Sequence, residues 1–165
     1  MVYSFYKITD FINQVATGHP HIKTFQMGTL DNVDTFKQTL FPLCYLVPGT
    51  AIIPINGATT FNFSLIVMDR VNDVSNEGEV DKYSTIEWNY RGIDNLNDVW
   101  NDTLSTLNDI ISFIQRNAES NAYNIYDEIT CTPFKDRFDN TLAGWAAEMV
   151  VVMPNDKPAC EITLS

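Results

Sequence analysis

The side chains of this chain that are best suited to chemistry are two histidines and three cysteines. His19 and His21 flank a proline, and two imidazoles at this spacing could supply part of a metal site. No third ligand lies near them in sequence, so we interpret them as surface histidines in a turn. Cys44 has no neighbouring histidine to activate it, which disfavours a nucleophilic thiol.

The cysteines also bear on cofactors and on the compartment. Cys44, Cys131 and Cys160 cannot all pair, and none of them has the spacing of a zinc site. A free thiol inside an apolar strand behaves as a small hydrophobic side chain. We therefore expect a reducing compartment during folding.

Carboxylates are plentiful, but their spacing does not predict acid–base catalysis. Asp127 and Glu128 are adjacent in a strand-like run, so they point to opposite faces and cannot share a proton. Asp98, Asp102 and Asp109 lie on the polar side of a predicted helix, and none of them is followed by Lys or Arg four residues later. These three residues form a solvated surface, meet a basic partner, or line an acidic channel that passes DNA without gripping it.

The charge of the chain restricts its partners. The net charge is −11 and the sequence pI is near 4.3. Such a surface repels phosphate, which disfavours nucleic-acid wrapping, and it also disfavours docking to an anionic membrane. The first residues lack the pattern of a signal peptide, and no apolar run approaches the length of a membrane span.

Two polar loops are the candidate interfaces. The segment 72–84 holds four acids, one base and little to bury, so it is either a solvated loop or an arm that folds against a basic neighbour. A second loop near the C-terminus mixes both charges around phenylalanine. The residues that we select from the two loops are Glu77, Glu79, Asp81, Tyr83, Lys135, Asp136, Arg137 and Phe138.

Hydrophobic periodicity predicts the elements that position these residues. Helices are expected over 4–17 and 96–117, because their apolar residues recur with the helical period. Strands are expected over 22–30, 41–47, 60–71, 123–134 and 142–153, with turns at Pro48-Gly49 and Asn56-Gly57 and a tail over 154–165. This order predicts one α+β domain spanning 1–165, a mainly antiparallel sheet with both helices on one face.

The same patterns predict the core. We expect one core between the long helix and the sheet, formed by Trp145, Leu104, Leu107, Ile111, Phe63 and Leu65. The strand over 60–71 is expected to begin with one wet face and to end covered on both faces. Gly144 is expected to allow another backbone to come close.

The end of the chain carries the most specific pattern. Residues 132–139 (TPFKDRFD) close one strand and form a charged loop, and residues 142–145 (LAGW) open the next strand. Before them come a helix, a strand pair ending in residues 66–70 (IVMDR), and a long amphipathic helix. In this order and this ending the chain resembles the tail-terminator or tail-completion proteins of tailed bacteriophages, small ring-forming proteins of the head–tail junction and tail.

This resemblance implies a structural role in the virion, after assembly in the host cytoplasm. It implies a closed homo-oligomeric ring, commonly sixfold or, in short-tailed phages, twelvefold. It implies portal or connector and tail proteins as neighbours, DNA passing through the ring, and neither catalysis nor a cofactor. The segment 72–95 departs from the family pattern, because it is longer and more acidic. A small protein-binding module and a small enzyme are the alternatives.

Overall fold

The structure is a computed structural model, and it describes residues 4–30, 39–54, 57–71, 95–126, 128–135 and 142–154. In chain order the elements are helix α1 (Ser4–Gly18), strands β1 (Thr24–Met27), β2 (Leu43–Ile52) and β3 (Thr59–Arg70), helix α2 (Leu96–Arg116), a 3-10 turn (Glu119–Asn121), and strands β4 (Asn124–Ile125), β5 (Thr130–Lys135) and β6 (Leu142–Met153). The predicted α+β class is confirmed, with two helices and a mostly antiparallel sheet in the described residues.

The sheet is built around the two longest strands. β3 and β6 pair antiparallel from Thr59↔Met153 to Arg70↔Leu142. β2 continues the sheet beyond β3, and β1 joins β2 as a parallel edge strand over four residues. β4 and β5 both pair with the free side of β6, so the predicted strand over 123–134 is divided into two pieces.

One predicted turn is wrong, because strand β2 runs through it. Pro48-Gly49 is not a turn, because β2 continues to Ile52 and Pro48 stays in register with Phe63. A proline fits here since β1 pairs only with Leu43–Leu46, which leaves Pro48 beyond the end of that neighbour. The predicted turn at 56–57 is described only at Gly57, where φ is +128°.

One extra residue on β2 forms a bulge beside this proline. Gly49 and Thr50 lie opposite Asn62, and the pairing register shifts between Pro48 and Ala51. The Asn62 amide donates a hydrogen bond of 2.6 Å to the Thr50 hydroxyl and thereby closes the bulge. A Cβ on Gly49 would lie 2.9 Å from the carbonyl oxygen of Asn62, so this position requires glycine. Bulges bend and twist a strand, so β2 changes direction locally here, although Ala51 and Ile52 still pair with β3.

Both helices pack on one face of the sheet, as predicted. Ile8, Ile12 and Ala16 of α1 are buried there against the side chains that α2 contributes. The buried residues of α2 are Val99, Thr103, Thr106, Leu107, Ile110, Ile111 and Ile114. Of these, Leu107, Ile110, Ile111 and Ile114 belong to the main core, whose other members include Cys44, Leu46, Phe63, Leu65, Val67, Ala147, Met149 and Val151, with Trp145 packed against it.

The prediction that Leu104 belongs to the core is wrong. It is 36% exposed, whereas Leu107 is fully buried. At about 3.6 residues per turn, Leu104 lies at the margin of the stripe that faces the sheet. Thr103 and Thr106 occupy the buried stripe instead, and the Thr103 hydroxyl donates to the Val99 carbonyl oxygen within the helix.

The opposite sheet face carries a second, smaller cluster. Its buried members are Leu43, Tyr45, Ile66, Met68, Phe134 and Leu142. Along β3, the residues of this face change from half-buried Asn62 and Ser64 to buried Ile66 and Met68. The prediction that this strand begins with one wet face and ends covered on both faces is confirmed.

Candidate functional site

The three aspartates of α2 form one row, which we call the acidic row (Asp98, Asp102 and Asp109). All three are exposed, and at about 3.6 residues per turn they fall within about 40° of one another around the helix axis. The row lies on the flank of α2 that faces the turn after α1. The three carboxylates thus share one exposed side of the helix, and two features of the turn adjoin it.

The two histidines lie between α1 and β1 and face α2. His19 Nε2 lies 3.6 Å from Asp109 Oδ2, a contact that becomes an ion pair when the imidazole is protonated. His21 Nδ1 lies 3.5 Å from the hydroxyl oxygen of Thr106, and the two imidazole rings meet edge to face with centroids 5.3 Å apart. The Asp109 side chain is 62% exposed, so solvent weakens the attraction. The histidines thus join the turn to α2, which the sequence did not predict.

A small cavity beside His21 brings two carboxylates together. It has a volume of about 310 Å³, and Lys23, Asp69 and Asp102 are among its lining residues. Burial raises the pKa of the Asp69 carboxyl above its ordinary value, and the charge of Asp102 raises it further. Arg70 opposes both effects, because its backbone N–H donates a 2.7 Å hydrogen bond to Asp69 and its charge is attractive. No spacing in the sequence predicts this pair, because Asp69 lies in β3 and Asp102 lies in α2.

A larger cavity than the one beside His21 is an opening between the two helices, which we call the interhelical groove. Its volume is about 590 Å³, within the range of about 300–1,000 Å³ that ligand pockets usually have. Its lining residues are Phe11, Gln14, Val15, Gly18, His19, Pro20, Asp109, Ile110, Phe113 and Asn117. Phe113 is 52% exposed, and a Cβ on Gly18 would meet no atom within 4 Å. The groove is therefore mainly apolar, with Asp109 as its acidic residue.

The far end of the β2–β3 hairpin is also apolar and exposed. We call residues 50–54 the hairpin tip. Ile52 is 59% exposed and Ile53 is 71% exposed. We did not predict this surface, although the sequence contains a signal for it: residues 38–68 include no Asp, Glu, Lys, Arg or His.

The two predicted interface loops lie mostly outside the described residues. Among the residues that we selected, Glu77, Glu79, Asp81, Tyr83, Asp136, Arg137 and Phe138 fall there. Lys135 is described, and it is an exposed residue at the end of β5, where it pairs with Ala143 of β6. Of the predicted strand–loop–strand ending, the second strand is present as β6, and the first is present only in its later part as β5.

Two further sequence interpretations concern reactive groups. Cys44 is fully buried, and burial raises the pKa of its thiol to about 12, so the thiol remains protonated. Glu128 is exposed, whereas Asp127 lies outside the described residues. In the part of the chain that the structure describes, no group of three or more His, Cys, Asp or Glu residues could hold a metal ion. No helix within the same residues is long and apolar enough to cross a membrane.

No protein-family model and no curated protein matches this chain. Its function is therefore inferred from the sequence pattern and from the geometry of the described residues.

Proposed function

We propose that this protein is a structural protein of a tailed-bacteriophage virion, one that forms a homo-oligomeric ring at the head–tail junction or tail. The observation that carries this proposal is the order of elements together with the terminal strand pair. A helix, a strand hairpin and a long amphipathic helix precede β5 and β6, which pair antiparallel from Thr130↔Glu148 to Lys135↔Ala143. This is the pattern on which the resemblance to tail-terminator and tail-completion proteins rests.

The placement of β5 supports assembly through this end of the molecule. β5 pairs with β6 on one side, and among the described residues no strand pairs with its other side. An open strand edge is a place where another chain can add backbone hydrogen bonds. Lys135 lies at the end of this edge, where a neighbouring subunit would meet it.

The acidic row supports the role of the ring in DNA passage. Three exposed carboxylates on one flank of α2 repel phosphate, and the chain as a whole carries a charge of −11. A ring that turned this flank toward its lumen would let DNA pass without binding it. The partners would be further copies of the chain and the portal, connector or tail proteins on either side.

Particle analysis tests the proposal directly. The protein is expected in purified virions at the copy number of a ring, six or twelve. Native mass spectrometry of the purified protein and negative-stain microscopy are expected to show closed rings. A strictly monomeric protein that is also present as a single copy in the particle, or is absent from it, would contradict the proposal and favour a binding module.

A further inference from the structure

The β2–β3 hairpin combines two properties that rarely occur together on an exposed surface. Its tip exposes Ile52 and Ile53, at 59% and 71%. The chain from residue 38 to residue 68 contains no ionisable Asp, Glu, Lys, Arg or His, although the whole protein carries a charge of −11. Neighbouring large aliphatic side chains that are exposed to water can mark a contact surface.

Charge indicates which partner this surface suits. Two copies of a strongly acidic chain repel each other over most of their surfaces, and like charges brought together at an interface are costly. An uncharged tip can enter a neighbouring copy without adding to this repulsion. A basic partner would gain nothing electrostatic from the tip, because the tip has no acid to pair with. A second copy of this chain is therefore the occupant that the charge distribution favours.

The interhelical groove provides a receiving surface on the same chain. It is mainly apolar, its volume of about 590 Å³ leaves room for a few side chains, and Phe113 stands half exposed at its border. Gly18 adds open space, because no atom lies within 4 Å of where its Cβ would be. Aliphatic side chains that enter such a groove lose water-exposed apolar area on both partners.

The tip and the groove lie on different parts of the subunit. The tip follows the β2 residues that pair with the start of β3, at the end of the sheet where Thr59 meets Met153. The groove lies between the helices on the main-core face, where α1 residues from Phe11 to Gly18 face α2 residues from Asp109 to Asn117. A projection at one place and a cavity at another make a head-to-tail contact, which closes into a ring when the rotation permits.

We propose that Ile52 and Ile53 of one subunit insert into the interhelical groove of the next subunit, and that this contact joins the ring. The inference rests on the proposed ring function and names its subunit contact. It assigns Phe113 and Ile53 to the two sides of a single interface. Asp109 of the acidic row lines the groove and therefore lies at the contact, whereas Asp98 and Asp102 are not among the lining residues of the groove.

Two test variants, one for each side of the contact, are compared with one control variant. Ile53→Asp places a charge on the tip, and Phe113→Glu places one at the groove border while keeping a good helix former. Leu40→Asp is the matched control, since Leu40 is 65% exposed but lies near the other end of the hairpin. Burial of an unpaired charge is costly, so each test variant is expected to raise the dissociation constant of the contact at least about tenfold. The control is expected to assemble like the unmodified chain, and thermal unfolding checks that all three proteins are folded.

A mixing experiment distinguishes a head-to-tail contact from other arrangements. A subunit with Ile53→Asp retains an intact groove, and one with Phe113→Glu retains an intact tip. Their mixture has one productive junction per pair, so native mass spectrometry is expected to show a heterodimer that grows no further. Gly18→Leu fills the groove without adding a charge. A subunit with this substitution, mixed with the Ile53→Asp subunit in place of the Phe113→Glu subunit, is expected to give the same heterodimer.

Each outcome decides the matter. The inference is overturned if the unmodified chain stays monomeric, if any test variant assembles normally, or if the mixture gives no heterodimer. Rings that persist in all variants, from a protein found in virions at ring copy number, would overturn this contact and leave the proposed function intact. Assembly that depends on the tip and the groove, by a protein that virions lack, would support this contact and contradict the proposed function.

Discussion

The indole Nε1 of Trp145 donates a hydrogen bond of 2.9 Å to the carbonyl oxygen of Trp100. The indole Nε1 of Trp100 in turn donates one of 3.1 Å to the carbonyl oxygen of Phe134. The first bond joins β6 to α2, and the second joins α2 to the edge strand β5. Two half-buried tryptophans thus hold the beginning of the long helix over the terminal strand pair.

Replacement of either tryptophan by phenylalanine is expected to destabilise the protein. Trp145→Phe removes the donor to Trp100, and Trp100→Phe removes the donor to Phe134. Each lost bond is expected to reduce the free energy of unfolding by about 0.5–1.5 kcal/mol, in addition to the loss of packed volume. Urea unfolding measures the change. Tyr126→Phe, at a residue that is 60% exposed, is the control and is expected to change the stability by less than about 0.5 kcal/mol.

Two leucines of α2 test which side of the helix faces the sheet. Leu107 is fully buried in the main core, so Leu107→Ala is expected to reduce the free energy of unfolding by about 2–5 kcal/mol. Leu104→Ala is expected to cost much less, because Leu104 is 36% exposed. The two substitutions delete the same atoms from one helix. Equal losses in denaturant unfolding would contradict the described orientation of α2.

Gly144 of β6 lies close to the β3 backbone at Val67 and Met68. A Cβ at this position would overlap the Val67 carbonyl oxygen and would lie 2.8 Å from the Met68 Cα atom. Gly144→Ala is therefore expected to reduce the free energy of unfolding by about 1–3 kcal/mol, the usual cost of overpacking. The earlier expectation that this glycine lets another backbone come close is confirmed by the same contacts.

Gly18 is the matched control for this substitution, because a Cβ there meets no atom within 4 Å. Gly18→Ala at the end of α1 is expected to stabilise the protein by up to about 1 kcal/mol, since alanine restricts the unfolded chain. Thermal or urea unfolding of the pair measures both effects. Destabilisation by Gly18→Ala, or no effect of Gly144→Ala, would contradict the described packing.

Asp69 is expected to make stability depend on pH in the acidic range. Its pKa is higher in the folded chain than its ordinary value of 3.8, mainly because of burial. Between the unfolded and folded pKa values the folded chain binds more protons, so stability falls as the pH rises through that interval. Asp69→Asn should remove this loss and stabilise the protein at neutral pH, while its amide oxygen still accepts from the Arg70 N–H.

The comparison is measured by urea unfolding at neutral pH and at several lower values. The advantage of Asp69→Asn is expected to vanish once the pH is below both pKa values, where the wild-type carboxyl is neutral in either state. Asp98→Asn, on the exposed acidic row, removes the same charge without relieving a buried group. Equal stabilisation by both variants would show that net charge, rather than the burial of Asp69, is responsible.

The local sequence pattern was sufficient to predict those elements whose buried face follows from their own hydrophobic periodicity. The helical recurrence of Ile8, Phe11, Ile12 and Val15 predicted α1, and the apolar spacing from residue 96 onward predicted α2. Alternation in β3 predicted its core face and its change from wet to covered. Binary periodicity encodes these features in neighbouring residues, so they need no knowledge of distant contacts.

Contacts between residues that are distant in sequence decided the features that the local pattern did not predict. Pro48 continues a strand because the neighbouring strand β1 stops before it, and Leu104 is exposed because the sheet does not cover that margin of α2. Asp69 and Asp102 interact across separate elements, which no spacing in the sequence indicates. The interhelical groove likewise exists only because two helices rest on one sheet face and leave space between them. The sequence by itself determined the type and facing of the two helices and of β3, and it left residues 38–68 without Asp, Glu, Lys, Arg or His. Tertiary packing decided which side chains remain exposed, since exposure depends on where each neighbouring element ends.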